Sequence, residues 1–183
     1  MNVRSMKGLL LLPLLAAAAL LGCRDKPAAR PPPAPAAGAE IALFQIGQSE
    51  AAVQTAIAAV PNFRQPDGAG SAALRAGEKV STLEAQATRP AADRPAAMRF
   101  RFEERNLVQA ELTYRAADAA ARGALYDRML DGLAGGATHA TNQVLDWGGR
   151  VAWLHVSNRL LVVHEARADA RDVTVRMSAP VFR

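Results

Sequence analysis

The residues whose types allow chemistry are few. Cys23 is the single cysteine, so no internal disulfide forms, and a thiol nucleophile would need an activating base beside it. The three histidines are His139, His155 and His164. Ser157, His164 and Asp172 supply the residue types of a hydrolytic triad, but no serine sits in a sharp Gly-x-Ser-x-Gly turn that would present it as a nucleophile. Glu103 and Glu104 are adjacent, so on a strand they point to opposite faces and cannot act as a carboxylate pair. Gly132, Gly135 and Gly136 follow a helical pattern, whereas phosphate-cradling loops precede a helix; they read as a helix stop. None of these sets amounts to a catalytic signature. No enzymatic activity, metal or cofactor is expected.

Charge narrows the partners. The chain carries a net +5, of which Arg4 and Lys7 belong to the first 22 residues. Without those two, 20 basic residues face 17 acidic ones. Both signs are mixed along the remainder, and no cluster tracks a phosphate backbone, so nucleic-acid binding is not expected.

The position of Cys23 sets its chemistry. Arg4 and Lys7 form a positive segment, followed by an apolar run of 15 residues from Gly8 to Gly22, with Pro13 inside it. About 20 apolar residues span a bilayer, so this run reads as the core of an export signal. It ends in Leu20-Leu21-Gly22-Cys23. That motif resembles the lipobox of bacterial lipoproteins. The resemblance implies cleavage between Gly22 and Cys23, acylation of Cys23, and anchoring of the mature chain in a lipid bilayer. Arg24, and not Asp, follows the cysteine. By that family's sorting rule this points to the periplasmic face of the outer membrane ahead of the inner membrane. Residues 23–40 then form a lipidated tether, with five prolines among residues 24–40 favouring an extended polyproline II spacer.

Residues 41–183 carry the folded part. Ile41 to Ile46 reads as a short strand. Ser49 suits a helix N-cap, with Val53, Ile57 and Val60 at helical spacing until Pro61-Asn62 stops the run. A loop over 61–77 precedes a strand over 79–87. Met98, Phe100 and Phe102 alternate with Arg99, Arg101 and Glu103, the pattern of a half-buried strand. After a turn at 104–106, Val108, Ala110, Leu112 and Tyr114 alternate on the return. Asp118 caps a second helix to about Ala134, with Leu125, Met129 and Leu133 as its stripe. Strands follow at 144–147, across a two-residue Gly148-Gly149 loop to 150–156, across Ser157-Asn158 to 159–166, and at 172–177.

The pattern is α+β, with two helices packed on an antiparallel sheet, and the order of helix, three strands, helix, three strands reads as a degenerate tandem repeat. Phe44-Gln45-Ile46-Gly47-Gln48-Ser49 followed by Val53 resembles the opening of SmpA/OmlA-type envelope lipoproteins, which belong with outer-membrane barrel assembly. Two helix-plus-sheet units in tandem also resemble the β-lactamase-inhibitor protein fold. These resemblances imply an envelope protein or a periplasmic enzyme as partner, met either as an accessory factor or as an inhibitor or immunity protein.

With a Ser157-Asn158 turn, His155 faces Leu160 and His164 faces Val151, which leaves the two histidines about 13 Å apart along the strand and too far to share a zinc ion. The hairpin over 147–163 is apolar on both faces. One such face suffices for a two-layer domain. The second is a candidate partner surface, with Trp147, Trp153 and Tyr126 as its anchors, because Trp and Tyr are favoured at such contacts.

Overall fold

The computed structural model describes residues 37–64, 79–89, 91–146, 148–166 and 170–180. Gly22, Cys23, the tether up to residue 36, most of the 61–77 loop and Trp147 lie outside the described residues.

The chain runs through a short 3-10 helix (Ala39–Leu43), α1 (Glu50–Ala59), β1 (Phe63–Arg64), β2 (Val80–Ala87), β3 (Pro95–Glu103), β4 (Asn106–Arg115), α2 (Ala119–Ala134), β5 (His139–Val144), β6 (Arg150–Val156), β7 (Arg159–Glu165) and β8 (Asp172–Ser178). All eight strands join one antiparallel sheet in the order β1-β2-β3-β4-β8-β7-β6-β5. Each helix is thus followed by a four-stranded meander, and the two meanders meet through their last strands, β4 and β8. The α+β class holds. Four strands follow each helix; the sequence spans number four after α2 but only three after α1, where the two-residue β1 is not anticipated.

Alternation decides which face is covered. Met98, Phe100 and Phe102 of β3, Ala110, Leu112 and Tyr114 of β4, Val173, Val175 and Met177 of β8, and Leu161 and Val163 of β7 are all buried. They form one core with Val53 and Ile57 of α1 and with Leu125, Tyr126 and Met129 of α2. Ser49 and Asp118 cap the two helices, their side chains accepting from the N–H of Ala52 and Ala121.

Four expectations need correction. Residues 41–46 are not a strand. Ile41 and Phe44 lie three apart, and the 3-10 turn brings both into the core, with the Phe44 ring centroid 4.6 Å from that of Phe100. The tether does not extend to residue 40, because Ala37 and Glu40 are already buried and Glu40 accepts a hydrogen bond from the Tyr114 hydroxyl at 3.0 Å.

On β4, Leu107 and not Val108 joins the buried set. The register slips between Arg101 and Phe102, so Val108 is the extra residue of a bulge. The strand placed at 144–147 lies at 139–144, and Val144 pairs with Arg150, so a five-residue connection replaces the two-residue Gly-Gly loop. Within that connection Leu145 donates to Gly149 and Gly148 donates back to Leu145.

Candidate functional site

No described element packs on the other face of the sheet. The cross-strand register assembles this open face into rows. One row runs Thr141, Trp153, Val162, Arg176, Glu111, Arg99, Glu84. The row on one side runs Gln143, Val151, His164, Thr174, Thr113, Ala97, Gln86. The row on the other side runs His139, His155, Leu160, Ser178, Gln109, Arg101, Thr82. The face therefore divides. Its β6–β7 half is mainly apolar, with Val151, Trp153, Leu160 and Val162 beside His155 and His164. Its β8-β4-β3-β2 half is a ladder of alternating charge.

The ladder is tied across strands. Arg176 grips Glu111 through Nη2 at 2.6 Å and Nε at 2.9 Å, and Arg99 Nε donates to Glu84 at 2.8 Å. These side chains are mostly exposed, so each pair contributes little to stability, about 0–1 kcal/mol. Their alternation sets positive and negative charge in turn along this row. In the apolar half, Trp153 is half-buried, flanked by Thr141 and Val162. Val151 is buried despite facing this side, while Leu160 and Val162 stay half-exposed.

The candidate anchors separate. Trp153 lies on the open face. Tyr126 does not: it faces the core with no exposed surface, and its hydroxyl donates to Asn142 Oδ1 at 2.9 Å. A helical stripe buries neighbouring positions 125 and 126 together, so Tyr126 holds α2 on the sheet and is withdrawn from the partner-contact set. Its ring carries the Arg150 guanidinium 4.3 Å from its centroid, and burial pushes its hydroxyl pKa up to about 12.

The histidines take the expected register, with His155 opposite Leu160 and His164 opposite Val151. His139, which the sequence leaves outside any strand, stands directly opposite His155, with ring centroids 5.9 Å apart. No group of three or more metal-ligating side chains occurs among the described residues. His164 is half-buried on the open face; burial and then the charge of Arg176 push its pKa below the usual value. Ser157 turns the β6–β7 hairpin with a positive φ, seven residues from His164 along β7, roughly 20 Å. Asp172 is held by Arg115 at 3.1 Å. The structure does not bring these three together. Glu103 is held by Arg101 and Glu104 lies 3.6 Å from Lys79, both at the β3–β4 turn.

Sequence reasoning missed a buried ionic network that fixes α2 to β6 and β7. Glu165 accepts from Arg122 Nε at 3.0 Å and from Arg150 Nε at 2.5 Å. Arg150 also reaches Asp127 at 2.6 Å and the Gly123 carbonyl at 3.1 Å, and Arg122 reaches the Ala170 carbonyl at 2.7 Å. Glu165 follows Leu161 and Val163 in strand alternation, which is the one sequence signal that it points inward.

Comparison with family models, with curated protein sequences and with solved structures gives no match.

Proposed function

We propose that this chain is a lipid-anchored protein of the bacterial envelope that works by binding another protein through the open face of its sheet. The observation that carries the binding role is the division of the structure. An eight-stranded sheet has helices on one face, while the other presents Trp153, Leu160 and Val162 beside a ladder of fixed charges. Half-exposed apolar side chains beside fixed charge are the composition of a protein-recognition patch. Location rests on the lipobox-like Leu20-Leu21-Gly22-Cys23 and the proline-rich stretch after it. In this reading Cys23 carries acyl chains in the periplasmic leaflet of the outer membrane, and the tether lets the domain reach its partner. No helix among the described residues is long and apolar enough to cross a membrane.

The role is that of a non-enzymatic accessory factor. The two halves, α1 with β1–β4 and α2 with β5–β8, form a degenerate tandem repeat about the β4–β8 junction in this account. That layout also supports a second reading, an inhibitor or immunity lipoprotein that blocks a periplasmic enzyme such as a cell-wall hydrolase. A toxin gene beside the coding sequence favours the second reading, and envelope-assembly genes favour the first.

Labelled palmitate and membrane fractionation test the anchor. The wild-type chain takes up label and sediments with membranes, and Cys23→Ser does neither. Label-free wild type, or membrane-bound Cys23→Ser, contradicts the anchor. A photo-crosslinking residue at Val162 tests the face in living cells against one at Arg128, exposed on α2. The binding reading predicts a discrete adduct from position 162 and none from 128.

A further inference from the structure

β5 forms one edge of the sheet, and its outward side is unpaired among the described residues. All six of its residues are exposed, including Val144 at 69%. Leu145 N–H donates to the Gly149 carbonyl at 2.8 Å. Antiparallel alternation from that bond turns the backbone groups of Gln143, Thr141 and His139 toward β6. Those of Ala140, Asn142 and Val144 then point to the open side. An edge of this kind templates the addition of a strand. Proteins that avoid this shorten the edge, bulge it, or place lysine or proline on it. β5 carries none of these devices: it has no charged residue and no proline, and its register with β6 is unbroken. At the far edge β1 is cut to two residues.

We infer that β5 is a self-association strand that pairs antiparallel with β5 of a second copy across a two-fold axis at Asn142. This register sets Asn142 against its own copy and Ala140 against Val144 of the second copy. The outward backbone groups of all three residues are then paired on both strands. Side chains allow it. β5 is neutral, so the two-fold brings no like charges together, whereas a charged foreign strand finds no counter-charge on it. The exposed Val144 gains cover on the helix-side face. A pair of six-residue strands buries less than the roughly 1,200 Å² of a stable specific complex, so the dimer is weak and forms where the chain is concentrated. This inference does not depend on what the open face binds.

Sedimentation velocity tests it on the full-length chain carrying Cys23→Ser, purified in detergent, from micromolar to millimolar concentration. The expected result is a concentration-dependent shift from monomer to dimer. Val144→Lys and Ala140→Pro abolish that shift while leaving thermal unfolding unchanged, because neither removes a bond to β6. In the same background Asn142→Cys gives a disulfide-linked dimer on oxidation, since facing Cα atoms lie about 5.5 Å apart in such a pair. Ala140→Cys does not, since its copy lies roughly 13 Å away. A single monomeric species throughout overturns the inference. So does a dimer indifferent to Val144→Lys and Ala140→Pro, or faster cross-linking at position 140 than at 142.

Discussion

Replacing Glu165 with alanine strips two guanidinium groups of a shared acceptor beneath α2. The Arg122 side chain is 9% exposed and that of Glu165 is 5%, so their pairing is desolvated. Removing one partner of a buried pair costs about 3–5 kcal/mol, because the remaining charge stays buried without compensation. Two features place this case near the lower end. The Arg150 side chain is 26% exposed and keeps Asp127 and the Gly123 carbonyl, and Arg122 keeps the Ala170 carbonyl.

The expected loss for Glu165→Ala is therefore about 3 kcal/mol, a large part of the 5–15 kcal/mol typical of a domain. Urea unfolding followed by circular dichroism measures it as a fall in midpoint at unchanged slope. In the double variant Arg122→Met with Glu165→Leu, the midpoint recovers most of the loss, because an apolar pair leaves no orphaned charge at that site. A loss below about 1 kcal/mol for Glu165→Ala would refute the reasoning, since a solvated surface pair gives that value.

Acid weakens the same network. Burial opposes the charge on Glu165, but hydrogen bonds from Arg150 and Arg122 outweigh it and hold the carboxyl below its usual range. The stability it contributes is complete above the unfolded carboxyl pKa of about 4.3 and is lost as pH falls through the lower folded value. The urea midpoint therefore drops steeply below about pH 4, and less steeply in Glu165→Ala. His164, whose pKa is pushed down by burial and by Arg176, adds a shallow decline as pH falls below about 6.5, which His164→Gln removes. Trp153→Ala costs about 1 kcal/mol because its ring is only half-buried, whereas Phe100→Ala in the core costs about 3–5 kcal/mol; equal costs would place Trp153 in the core. Gly123→Ala raises the thermal midpoint, worth about 0.5–1 kcal/mol, because a Cβ there meets Arg150 Nη2 at an ordinary 3.5 Å and helix propensity improves.

The elements legible in the sequence are those whose periodicity is enforced by one buried face. β3 shows strict alternation over Met98, Phe100 and Phe102, and α1 shows a cap followed by a spaced Val53 and Ile57. The β6–β7 register followed from the two-residue Ser157-Asn158 turn. β5 escaped because an edge strand exposed on both sides needs no apolar residue, and His139-Ala140-Thr141-Asn142-Gln143 carries no alternation to read. Tyr126 was misplaced because a residue's neighbours in helical projection, not its chemical type, decide its burial. The open face was half legible. Two apolar sides on one hairpin marked its β6–β7 half, but the charge ladder depends on β4 meeting β8, a pairing between strands some 60 residues apart that no local pattern announces.

The direct test of binding through the open face is capture from solubilised envelope membranes with the acylated wild-type chain and with Trp153→Glu, both verified as folded by circular dichroism. The account predicts one stoichiometric protein, identified by mass spectrometry, that the wild type retains and Trp153→Glu loses. Equal recovery by both chains, or no specific protein with the wild type, contradicts it.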